Sequence, residues 1–161
     1  MPVEIQRALE FDAIPPDADL IRWAAAARDR AGEGAGDGEI CIRIVDEAEG
    51  RALNLRWRGK DCATNVLSFP AGNVPGLPST GEPSPLGDIV LCAPVVAREA
   101  GDQRKPVAGH WAHLVVHGVL HLRGFDHIEA GEAEIMERAE REVLAGLGIP
   151  DPYRERPDDA A

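Results

Sequence analysis

A chain of 161 residues, 44% of them hydrophobic, has the length and composition for one domain around one core. No apolar run reaches the roughly 20 residues of a membrane span. The N-terminal Met-Pro-Val-Glu-Ile lacks the basic-then-apolar layout of a secretory signal, and Cys41, Cys62 and Cys92 are too scattered for a disulfide framework or a CxxC metal site. These features suit a cytoplasmic protein with buried or half-buried free thiols.

The net charge of −11 runs against nucleic acid as a partner, because such proteins usually carry a basic patch. Its distribution weakens that objection. Acidic residues such as Glu129, Glu132, Glu134 and Glu137 crowd the region after His127, whereas residues 51–60 hold Arg51, Arg56, Arg58 and Lys60 and no acid. A positive strip beside a functional site is therefore expected on an acidic protein.

In chain order, Val3 to Leu9 suits a first strand. Pro15-Pro16-Asp17 then stops the chain and offers Asp17 as an N-cap for a helix over 18–30. The glycine-rich residues 31–38 read as a loop. Ile40, Ile42 and Ile44 alternate with Cys41, Arg43 and Val45, which is strand periodicity. Asp46 with Glu49 forms a capping-box pattern, predicting a helix to about Trp57 that Gly59 closes. Asn65 to Phe69 suits a third strand. Residues 70–85 hold five prolines and three glycines and are expected to be a loop, long enough to be mobile or functional. Asp88 to Cys92 suits a fourth strand and Ala93 to Gln103 a helix. Pro106 starts a helix to about Arg123, and Glu129 to Leu147 is the last, ended by Gly148 and Pro150. About four strands and about five helices, not strictly alternating, predict an α+β fold with one small mixed sheet. Residues 1–150 read as a single domain and 151–161 as a frayed acidic tail.

All five histidines fall between positions 110 and 127. His110, His113, His117 and His121 follow intervals of three and four, so they share one helical stripe. Two ligand pairs are possible on it, His113 with His117 and His117 with His121. The second is followed by Gly124, which can end the helix in a left-handed conformation and bring His127 back toward the pair. Three neutral imidazoles with an open fourth position suit a catalytic zinc ion, and His117, His121 and His127 are assigned as its ligands. His110 and His113 are expected as supporting or core residues. Asp126 can orient an imidazole or cap the next helix, and the small Gly118 lets another segment pack close.

The pattern follows the metzincin protease motif H-E-x-x-H-x-x-G-x-x-H at every specified position except that Gly118 replaces the glutamate, so the metal helix is metzincin-like. That glutamate is the general base of peptide hydrolysis, and its loss argues against a protease. A zinc ion can still polarise a phosphoryl oxygen or activate water. Phosphodiester cleavage also needs positive charge on the developing phosphorane oxygens, for which the planar fork of arginine is suited. Arg58, at a predicted helix end beside Gly59, is the candidate.

Three stretches, Arg58-Gly59-Lys60-Asp61 with Thr64 to Pro70, Leu86-Gly87-Asp88-Ile89, and His117 to His127, resemble the YbeY family of bacterial rRNA-maturation endoribonucleases. The resemblance spans about residues 40–153, with Phe125 standing where the family usually has tyrosine. It implies a small α+β domain and a single-strand-specific, metal-dependent endoribonuclease acting on precursor small-subunit rRNA, including its 3′ end, and in ribosome quality control. One zinc ion would be held by His117, His121 and His127, with Arg58 engaging phosphate. The implied partners are single-stranded rRNA precursor and the ribosome or its proteins, with neither DNA nor a membrane. Two other classes compete with this reading. The acidic charge suits a zinc hydrolase of a small substrate, and the missing general base suits a non-catalytic ribosome assembly factor with a structural metal.

Overall fold

The computed structural model describes residues 3–11, 14–30, 39–70, 87–122 and 130–149. Among them run β1 (Val3–Arg7), α1 (Asp17–Arg30), β2 (Ile40–Val45), α2 (Glu47–Arg58), β3 (Val66–Pro70), β4 (Gly87–Cys92), α3 (Ala93–Asp102), α4 (Val107–Leu122) and α5 (Ala130–Gly146). The sheet order is β1-β2-β4-β3, with β1, β2 and β4 parallel and β3 antiparallel to β4. This is the mixed-sheet α+β domain that the sequence predicts.

The period of two in the strands divides the core. Ile89 and Leu91 of β4 face the main core with Ile40, Ile42 and Ile44 of β2, packed on α1, α4 and α5. Val90 and Cys92 point to the opposite face, where they join Val45, Leu67 and Phe69 beneath Leu53 of α2. α3 follows β4 directly and packs against both α2 and α4. Cys41 is half-buried and Cys92 buried, but Cys62 is exposed, contrary to the sequence expectation, because it lies in the turn after α2.

Several boundaries shift for identifiable reasons. β1 ends at Arg7 rather than Leu9, although the Ala8 N–H still donates to Ile44 O at 2.8 Å. Asp17 lies in the first turn of α1 rather than before it. Its carboxylate accepts from Arg7 Nε at 2.9 Å and Nη2 at 2.6 Å, while the Asp19 N–H is taken by Pro16 O. Asp46 does cap α2, accepting from the Glu49 N–H at 2.8 Å. The other half of the capping box is absent, because Arg43 holds the Glu49 carboxylate through two nitrogens at 2.5 and 3.0 Å. A bidentate, charge-assisted pair outcompetes a single backbone N–H. The glycine-rich residues 31–38, the proline-rich stretch after Pro70, and the tail at 151–161 lie outside the described residues. None of the helices described is long and apolar enough to cross a membrane.

Candidate metal centre

α4 is apolar on most of its circumference, with Trp111, Val115, Val116, Val119 and Leu120 buried in the main core. One position sets how close it comes to the sheet. A Cβ built on Gly118 would stand 3.1 Å from both Cδ1 and Cγ2 of Ile89 and 3.3 Å from Ser68 Oγ. Glycine therefore lets the helix lie directly on β3 and β4, where Ser68 Oγ donates to Gly118 O at 3.4 Å. The close packing expected at Gly118 is present, and it brings His117 beside the edge strand β3.

The histidine stripe forms as the spacing predicts, with ring centroids 6.5, 6.1 and 4.7 Å apart from His110 through His113 and His117 to His121. It runs from core to surface: side-chain exposure rises from 4% at His110 to 13% at His113 and 23% at His117. His110 is a core residue whose Nε2 meets Glu99 Oε1 at 3.0 Å, and Glu99 also accepts from Asn65 Nδ2 at 2.9 Å. Burial pulls its pKa below the ordinary histidine value, against the raising effect of Glu99. The solvent-facing end of the stripe is thus the His117–His121 pair.

Glu140 of α5, fully buried, organises the middle of the stripe. Its Oε2 lies 3.0 Å from His113 Nε2 and its Oε1 2.5 Å from His117 Nδ1. Donor atoms of His113, His117 and Glu140 all fall within 4.8 Å of one another, close enough to hold an ion. The individual separations favour a different role for the carboxylate. Two ligands each about 2.0–2.1 Å from a tetrahedral zinc stand roughly 3.3 Å apart, wider than the His117–Glu140 contact. An ionised carboxylate is acceptor-only, so a bond to it puts the His117 proton on Nδ1 and leaves the Nε2 lone pair for a metal. This is the usual outer support of a metal-binding histidine. His121 stacks edge-on against His117 with ring centroids 4.7 Å apart, at the outer end of the stripe. His127, Gly124 and Asp126 lie outside the described residues.

Arg58 is the last residue of α2 and is exposed. Gly59 closes the helix at φ 72°, a left-handed conformation that glycine takes without strain. The turn that follows is fastened twice. Buried Asn54 donates through Nδ2 to Cys62 O at 2.7 Å, and Arg51 grips Asp61 at 2.6 and 2.9 Å. The Arg51 hydrogen bond holds the Asp61 carboxyl below its ordinary pKa. Arg51 is thus neutralised, and the basic strip expected over 51–60 reduces to Arg56, Arg58 and Lys60. Arg58 Nη2 donates to Ser68 O at 3.4 Å. Ser68 in turn reaches Gly118, next to His117, so the arginine and the histidine stripe meet across one residue of β3.

The sequence reading missed Glu140. A signal was available, since Glu140 falls on the apolar stripe of α5 formed by Met136, Ala139, Val143 and Leu144. A carboxylate at such a position requires a buried partner.

The family model described as Endoribonuclease YbeY matches residues 14–148. The chain belongs to this family. A YbeY endoribonuclease of Alkalilimnicola ehrlichii is 57% identical over 154 residues, covering 94% of this chain and 90% of the relative. That of Halorhodospira halophila is 54% identical over 145 residues, covering 89% of this chain and 92% of the relative. That of Pseudomonas putida is 53% identical over 160 residues, covering 98% and 96%. The solution structure of TM1509 from Thermotoga maritima has the same fold, with a TM-score of 0.56 at 23% identity over 94% of this chain and 99% of that one. The family match and the fold match both run over most of the chain.

Proposed function

We propose that this protein is a zinc-dependent endoribonuclease. In this reading it cuts single-stranded rRNA precursor, including the 3′ end of small-subunit rRNA, and takes part in ribosome quality control in the cytoplasm. The observation that carries the reading is the junction at Ser68, which joins Arg58 to the helix of His117 and His121. Membership of a family of endoribonucleases supports it.

His117, His121 and His127 would hold the ion, which when bound supplies Lewis-acid polarisation of a phosphoryl oxygen and acidifies water. The chain's own residues do the rest. Glu140 fixes the ring plane and tautomer of His117 through Nδ1. Arg58 places its guanidinium at the edge of β3 and would stabilise charge developing on the non-bridging phosphate oxygens. Gly118 supplies no carboxylate beside His117, which speaks against peptide hydrolysis. The partners in this reading are single-stranded rRNA precursor and the ribosome or its proteins.

The test is cleavage of an end-labelled single-stranded rRNA precursor fragment by zinc-loaded protein, alongside Arg58→Ala and His121→Ala. Cleavage is expected from the native protein and lost in both variants. Cleavage that survives both substitutions would point to a contaminant and overturn the assignment. A native protein that binds zinc normally yet leaves the RNA intact would do the same.

A further inference from the structure

α2 ends in a feature that packing does not require. Its inward stripe passes through the buried Gly50 and Asn54, and Trp57 stands next on that stripe, in the last turn. Trp57 meets Phe69 with centroids 6.2 Å apart and planes at 67°, and is 58% exposed. The other two tryptophans, Trp23 and Trp111, are buried. The guanidinium carbon of Arg56 sits 5.1 Å from the Trp57 ring centroid. An exposed indole beside a guanidinium offers a flat apolar face and a neighbouring positive charge to a ligand.

The surroundings select the occupant. Arg56, Arg58 and Lys60 have no carboxylate within ion-pair reach among the described residues, whereas Arg51 is neutralised by Asp61. Among the described residues, these three cations without a carboxylate partner gather at the end of α2 and the turn after it, a local positive strip on a chain of net charge −11. The patch also continues into the candidate active site. Trp57 touches Phe69, Arg58 touches the adjacent Ser68, and Ser68 touches Gly118 beside His117. A ligand with phosphates for the cations and flat apolar faces for the indole, extending from the metal centre, is a single-stranded polynucleotide. Bases stack on aromatic side chains and on arginine planes whatever their sequence, while the backbone follows positive charge.

We propose that Trp57 with Arg56 is a base-stacking platform that holds an unpaired nucleotide of the RNA strand flanking the phosphate engaged by Arg58. The inference rests on the endoribonuclease reading and adds a subsite to it. It also accounts for a single-strand preference, because a paired base has no face to offer the indole.

Trp57 is its own reporter, since the two buried tryptophans contribute a constant background. Native protein is titrated with a 2′-O-methyl dodecaribonucleotide and with the same backbone lacking its bases. Tryptophan emission and fluorescence anisotropy of a labelled strand are followed together. The base-bearing strand is expected to quench the emission. Trp57→Ala should weaken its binding by about tenfold or more, the range seen for loss of one base–aromatic stack. Trp57→Phe should recover most of that loss, and binding of the abasic strand should be unchanged by either substitution. Equal loss for base-bearing and abasic strands, or native affinity in Trp57→Ala, would overturn the platform. If native protein still cleaves RNA and Arg58→Ala does not, that failure leaves the endoribonuclease reading standing. Native protein that neither binds nor cleaves RNA overturns both.

Discussion

Replacing Glu140 by glutamine tests how the buried carboxylate serves the metal site. The substitution conserves shape but changes the hydrogen-bond inventory. Glu140 accepts from two imidazoles, His113 at Oε2 and His117 at Oε1. A glutamine has one accepting oxygen and one donating NH2, so it can satisfy only one ring in its native tautomer. If the NH2 faces His117 Nδ1, that nitrogen must be unprotonated. The proton then moves to Nε2, the atom needed by a metal. If the NH2 faces His113 instead, the His117 tautomer survives but the bond is neutral and weaker, because its partner has lost its charge. Either arrangement should lower zinc affinity by about 10–100-fold, the usual effect of losing an outer partner of a ligating histidine, or roughly 1.4–2.8 kcal/mol. Stability of the metal-free protein should change far less, because removing a buried charge also removes its desolvation cost. Competition titration against a fluorescent zinc chelator reads the affinity, and thermal melts of the metal-free forms read the fold. Zinc affinity within about twofold of native, in a variant of native melting temperature, would refute the orienting role.

Two further outcomes follow from the same packing. Gly118→Ala gains about 1 kcal/mol of helix propensity. It also forces a Cβ to within 3.1 Å of two atoms of fully buried Ile89, an overpacking that costs about 1–3 kcal/mol. Net destabilisation of up to about 2 kcal/mol is expected in urea melts, and a variant more stable than native would show that the sheet yields freely. For His110, burial lowers the folded pKa from 6.5. The unfolded chain therefore binds the proton more readily. The stability His110 contributes is complete above pH 6.5 and is lost as pH falls through the lower folded value. Native melting temperature should drop more steeply from about pH 7 to about pH 5 than that of His110→Gln, and equal slopes would rule out this contribution.

Local patterns in the chain specified most of the elements. The alternation of Ile40, Ile42 and Ile44 reads as β2 because side chains on a strand point alternately to its two faces. The spacing of His110, His113, His117 and His121 reads as one helical stripe because those intervals match the helical turn. Asp46 and Gly59 mark the ends of α2 because capping depends on neighbours along the chain. Where the sequence reading erred, a distant group competed. Arg43, from another element, took the Glu49 side chain out of the capping box. Arg7, ten residues from Asp17 along the chain, fixed the carboxylate expected to cap α1.

The parts of the site that depend on separated segments were decided by the tertiary structure. Glu140 lies 23 residues beyond His117 and meets it only because α5 packs on α4. Which end of the histidine stripe faces solvent follows from how deeply α4 is set into the core. Arg58 and His117 converge through Ser68 because Gly118 lets the helix rest on the edge of the sheet. By itself the sequence determined the fold class, the histidine stripe and the basic strip, all governed by short-range periodicity and composition. The tertiary structure decided which imidazole nitrogen Glu140 holds, that Asp61 pairs with Arg51, and which tryptophan is left in solvent, because each depends on contacts between segments separated along the chain.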